Sequence, residues 1–139
     1  MATVHKTVHI ARPVDEVWNV VGDIGGIAAW FRGIDASRVE GNKRLCDFEG
    51  GFSLEEEIVF VDDANHRYQY RITDGPFSAT HHLATVEVTP AGEGARVAWT
   101  VEVEPDELAG MMDKTFERAL PALRQTLETP AQGTTELRG

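Results

Sequence analysis

At 139 residues the chain is long enough to bury one core and too short for two, so one domain is expected over residues 1–129, with a flexible tail at 130–139. Twenty-three acidic residues against thirteen basic ones give a formal net charge of −10, which opposes nucleic acid and anionic membrane surfaces as partners. Cys46 is the single cysteine, so no internal disulfide is available; with no run of about 18 apolar residues and no leader-like start, a cytoplasmic protein without membrane insertion is expected.

In chain order, residues 3–11 alternate as a strand and meet Arg12-Pro13, after which Val14, Val17, Trp18 and Val21 share one helical stripe. Gly25-Gly26 break that pattern before "IAAWFRGI", a second short helix whose Trp30 and Phe31 either gate a cavity or plug it. From Ser37 the period changes to two. Six segments, "SRVEG", "KRLCDFEG", "FSLEEEIVFVDD", "HRYQYRIT", "FSATHHLATVEVTP" and "GARVAWTVEVEP", are joined by spacers too short for a parallel crossover, which predicts an antiparallel meander. From Asp106 the pattern predicts a helix of about six turns, with Leu108, Met111, Met112, Thr115, Phe116, Ala119, Leu120, Leu123 and Leu127 along one side and a kink at Pro121.

Strand parity then sorts the faces. In "SATHHLATVEV" the valines fall on the register of His82 and Ala84, and Thr85 and Glu87 on that of His81, so His82 points inward and His81 outward. The same test turns Tyr68, Tyr70 and Ile72 inward, with Val97, Trp99, Val101 and Val103. Residues 54–61 are ambiguous by alternation alone. Hairpin arithmetic around "DDAN" sets Phe60 opposite Tyr68, Ile58 opposite Tyr70 and Glu56 opposite Ile72, and so turns Glu56 inward.

Glu56 and His82 would then lie roughly 10–12 Å apart, too far for an acid–base dyad but suited to the two polar ends of a small molecule. Tyr70, Trp99, Phe60, Met111, Thr115 and Ala119 form the expected wall, with Phe31, Leu54, Ile58, Tyr68, Ile72, Ala84, Val101, Met112 and Phe116 completing it. The same arrangement predicts that replacing Glu56 by Gln or His82 by Ala weakens binding without unfolding the domain. Adjacent strand residues point to opposite faces, so His81-His82 is no metal pair; neither a metal nor a cofactor is expected.

The opening "ARPVDEVWNVVGDIGGIAAW", the second strand "SRVEG", the central hairpin "VDDANHRYQYRITDGP" and the last two strands "ATVEVTPAGEGARVAWTVEVEP" resemble the bacterial polyketide cyclase/dehydrase-like branch of the START/Bet v 1-like (SRPBCC) superfamily over residues 3–128. The resemblance implies an α+β helix-grip fold: about seven antiparallel strands wrapped around the long C-terminal helix, with two short helices after the first strand. In abscisic-acid receptors, which share that fold, the residue matching Glu56 is a pocket carboxylate and the one matching His82 a pocket tyrosine. Three functions follow as expectations. One is a monomeric or homodimeric carrier of a small hydrophobic or aromatic molecule. Another is a cyclase or dehydratase, a lyase or isomerase with His82 or Glu56 moving a proton and Tyr70 holding an oxygen. The third is an interaction protein with a filled pocket.

Overall fold

The computed structural model describes residues 1–129, so the expected tail at 130–139 lies outside the described residues. Strand β1 (Ala2–Ile10) leads into helix α1 (Val14–Val21) and a 3₁₀ helix (Ile24–Ala29). Strands β2 (Ile34–Glu40), β3 (Lys43–Phe48), β4 (Phe52–Asp62), β5 (Arg67–Asp74), β6 (His81–Ala91) and β7 (Gly94–Glu104) follow, and helix α2 (Leu108–Glu128) closes the chain. All neighbouring strands are antiparallel, in the order β1-β7-β6-β5-β4-β3-β2. Among the described residues no helix is long and apolar enough to cross a membrane.

The core lies where the alternation places it. Tyr68, Ala84, Val86, Val97, Trp99, Val101 and Val103 are wholly buried on the concave face, and α2 lays Met112, Phe116, Ala119, Leu120 and Leu123 against them. Each large apolar side chain so buried contributes about 1.5–3 kcal/mol. Polar contacts hold α2 in place: Lys6 Nζ meets Asp113 Oδ1 at 2.7 Å, the Ala11 amide donates to Glu128 Oε2 at 2.7 Å, and Arg12 Nε donates to the Leu127 carbonyl at 3.0 Å. The 3₁₀ helix is pinned to β2 by Ser37, whose hydroxyl accepts from the Ala28 amide and donates to the Gly25 carbonyl. Trp30 and Phe31 pack edge-on against Trp99, with centroids 5.8 and 5.9 Å away.

Three details depart from the sequence pattern. Helix α2 starts at Leu108 rather than Asp106, because residues 105–107 first form a turn whose Pro105 and Asp106 carbonyls accept from the Leu108 and Ala109 amides. Helix α2 also continues through Pro121 to Glu128 without interruption. The β4–β5 register, as expected, pairs Glu56 with Ile72 and Ile58 with Tyr70, but an irregularity between Ile58 and Phe60 then sets Phe60 opposite Gln69 and Val61 opposite Tyr68. One extra residue in β4 shifts the pairing by one beyond Ile58.

Gly94 opens β7 where it crosses the end of β1, and a methyl group added there would strike the Ile10 carbonyl oxygen, a backbone atom that cannot swing aside. Gly110, on α2, has open space around its missing Cβ. Gly94→Ala is therefore expected to destabilise the fold by about 1–3 kcal/mol, and Gly110→Ala to stabilise it by about 0.5–1 kcal/mol through helix propensity. Thermal unfolding of the two variants beside the wild type checks both signs.

Candidate functional site

Between the sheet and the N-terminal half of α2 lies a partly open cavity of about 100 Å³. Its walls are apolar: Phe31, Leu54, Ile72, Met111, Met112 and Phe116, with the half-buried Thr115. Tyr70, Glu56 and His82 bring polar groups to it. Sequence parity missed Ile27, Ile34, Phe48, Phe52 and Phe77, which also line the space. Phe48 and Phe52 stack at 4.9 Å across the Gly50-Gly51 turn, a pairing that alternation carried through that turn predicts. Phe77 sits outside the strands, where alternation says nothing.

Seven residues expected in the lining are not in it. Phe60 is turned away by the β4 irregularity and lies beneath Arg67, whose guanidinium carbon is 5.2 Å from its ring centroid. Tyr68, Ala84, Trp99, Val101 and Ala119 do point inward, yet they are packed solidly into the core and leave no space beside them. Ile58, half-buried opposite Tyr70, also lies outside the cavity wall.

The unexpected residue is Arg44. It sits directly opposite Glu56 in the β3–β4 ladder and is wholly buried. Its Nε donates to Glu56 Oε1 at 2.6 Å, and its Nη1 donates to the Ile24 carbonyl at 3.2 Å and to the Tyr68 hydroxyl at 3.4 Å. The guanidinium carbon stands 4.9 Å from the centroid of the Tyr70 ring, while Nη2 is buried with no hydrogen-bond partner. Burial holds the Glu56 carboxyl above its ordinary value, and the Arg44 guanidinium offsets only part of that rise. A charge-assisted bond this short favours the ionised pair. Cys46, with its sulfur 3.9 Å from the same Oε1, is kept a neutral thiol, since burial and then Glu56 push it up to about 12.

This pair changes what is expected of Glu56→Gln, from weaker binding alone to a loss of stability as well. Removing one charge of a buried pair strands the other, at about 3–5 kcal/mol. The second carboxylate oxygen, Oε2, has no hydrogen-bond partner among the described residues.

His82 is 6% exposed, whereas the side chain of His81 is 38% exposed and meets Glu102 at 3.4 Å. Strands β5 and β6 pair only from Arg67 to Tyr70, and beyond Tyr70 the Ile72 amide donates to His82 Nδ1 at 3.0 Å instead of to a strand carbonyl. An amide can only donate, so Nδ1 is the acceptor and the neutral ring carries its proton on Nε2. Burial, with a smaller contribution from His81, lowers the His82 pKa from 6.5 to about 4. Tyr70 is held neutral, because burial raises its hydroxyl well above the ordinary value; that hydroxyl accepts from Trp99 Nε1 at 3.1 Å. Ile72 separates the two groups, facing Glu56 across β4 and β5 and giving its amide to His82; Glu56 and His82 do not bond each other.

With this geometry, comparison with known proteins is informative. The family model described as "Polyketide cyclase / dehydrase and lipid transport" matches residues 1–128. The chain belongs to that family. A Thermobifida fusca protein solved by NMR is 30% identical, with a TM-score of 0.79 over 98% of this chain and 96% of its own. A Bacillus thuringiensis protein is 20% identical, with a TM-score of 0.86 over 92% of this chain and 100% of its own. A START superfamily protein from Mycobacterium smegmatis, 15% identical, matches with a TM-score of 0.77 over 91% of this chain and 97% of its own. Among curated proteins, none matches the chain. The START/Bet v 1-like helix grip implied by the sequence motifs is thus the fold of this polyketide cyclase/dehydrase and lipid transport family member.

The lowered His82 pKa has a consequence for stability. Above pH 6.5 the ring is neutral both folded and unfolded; below it the unfolded chain takes a proton that the fold refuses until about pH 4. Stability is therefore lost as pH falls through that window, by up to about 3 kcal/mol from this residue. Urea unfolding of wild type and His82→Gln across the window is expected to show a steeper acid loss in the wild type.

Proposed function

We propose that this chain binds one small, largely apolar molecule in the cavity beneath α2, as a carrier or receptor rather than as a catalyst. Membership of its family supports hydrophobic ligand binding in general. The observation that carries the finer reading is the cavity itself: an apolar space with few polar groups, each held in place by the fold, is the usual form of a ligand site.

The proton-transfer alternative finds less support in the same residues. A general base needs a free lone pair near neutral pH. His82 commits its one basic nitrogen, Nδ1, to the Ile72 amide, and the free oxygen of Glu56 belongs to a carboxylate already paired with Arg44 and not bonded to His82, so the two form no acid–base dyad. The filled-pocket alternative meets the opposite difficulty, since about 100 Å³ is left between sheet and helix.

Thr115 projects into the cavity from α2, so Thr115→Phe would occupy it. Protein purified from cells and extracted with organic solvent is expected to release a small molecule that the Thr115→Phe variant does not carry. An empty wild-type protein, or equal release from both, would contradict the proposal.

A further inference from the structure

We infer that the cavity selects an uncharged, single-ring molecule with a hydrogen-bond acceptor at its His82 end and a hydroxyl or N–H donor at its Glu56 end; this inference rests on the ligand-binding reading above. Size comes first. Pockets for drug-sized ligands run from roughly 300 to 1,000 Å³, and an apolar cavity of roughly 150 Å³ holds benzene. About 100 Å³ is smaller than that, so nothing larger than one ring enters, and a one-ring ligand extends into the open mouth, where Phe52 and Met111 are exposed. A fused polycycle or a long acyl chain does not fit without moving α2.

The polar ends come from hydrogen-bond accounting. The Ile72 amide occupies His82 Nδ1, so the ring offers only its Nε2–H; that nitrogen has no partner among the described residues on a side chain 94% removed from solvent. That N–H keeps contact with solvent in the partly open cavity, so a ligand that covers it without an acceptor forfeits the hydrogen bond water made there, whereas one with an acceptor restores it. On Glu56 the roles reverse. Arg44 takes Oε1, and Oε2, which can only accept while ionised, is left to face a donor.

Charge narrows the class further. Arg44 and Glu56 neutralise each other and His82 is neutral, so the walls hold no spare charge to compensate an ionised ligand. A ligand carboxylate would also meet Glu56 and a chain of net charge −10. A ligand cation would lie beside the Arg44 guanidinium.

Four one-ring probes separate these requirements: para-hydroxyacetophenone has donor and acceptor, acetophenone lacks the donor, para-cresol lacks the carbonyl acceptor, and para-hydroxybenzoate adds a negative charge. Calorimetric titration of the wild type is expected to show para-hydroxyacetophenone binding about tenfold tighter than acetophenone or para-cresol, and para-hydroxybenzoate not binding. His82→Gln, whose amide can both accept from Ile72 and donate to the ligand, is expected to keep the preference over para-cresol, and His82→Leu to erase it. The double variant Arg44→Met/Glu56→Leu removes both charges together and so keeps the fold; it is expected to erase the preference over acetophenone. Equal affinities for the three neutral probes in the wild type, or preferences that these variants leave unchanged, would overturn the ligand class and leave ligand binding standing. Failure of all four probes to bind a protein that carries another molecule from cells would also overturn the class. Failure of all four with a protein that carries nothing would overturn both.

Discussion

The buried ion pair between Arg44 and Glu56 is the constraint on which the rest of this site depends. Two charges removed from water gain stability only when their remaining hydrogen-bonding capacity is met, and here that demand is spread over the fold. Strand β3 supplies Arg44, β4 supplies Glu56, β5 supplies the Tyr68 hydroxyl and the Tyr70 ring face, and the 3₁₀ helix supplies the Ile24 carbonyl. Four elements are thus held in one mutual arrangement by a single guanidinium. The accounting is incomplete by one group, since Arg44 Nη2 has no partner.

That arrangement decides what the cavity can do chemically. A carboxylate tied at 2.6 Å to a guanidinium has a fixed rotamer, so Glu56 presents its other oxygen to the cavity as a static acceptor. His82 is fixed by a different device. Where β5 and β6 stop pairing after Tyr70, its imidazole takes the place of a strand carbonyl, which fixes both the tautomer and the ring orientation. The one residue closes a gap in the sheet and lines the space under α2. Both side chains are therefore fixed by the fold itself, and on the ligand-binding proposal this reduces the ordering that binding requires. The methionines on α2 supply an adaptable third wall.

Much of this was legible in the sequence because β-structure has a period of two and its turns are short. The valines of β6 and β7 settled the inward faces of His82 and Trp99, and the hairpin count from Asp62 to Asn65 turned Glu56 inward although its own strand reads ambiguously. The same count failed two residues later at Phe60, since an inserted residue leaves no mark in the alternation and shifts the pairing after it. Arg44 was missed for another reason. Arithmetic carried back through Gly50-Gly51 sets it opposite Glu56, but a charged residue is assigned outward by default, and only a buried partner justifies the exception. The size of the cavity was beyond the reach of parity, because pointing inward does not distinguish a residue that lines a space from one, like Trp99 or Val101, that fills it.

The most direct test of the ion pair's central place is a double-mutant cycle of urea unfolding on Arg44→Met, Glu56→Leu and the two combined. The account predicts that each single replacement strands a buried charge and loses about 3–5 kcal/mol, while the double variant, with no charge left to strand, is far more stable than the sum of the two losses implies. Single losses below about 1 kcal/mol that simply add would contradict it, and would mean that neither charge is held in the interior as described.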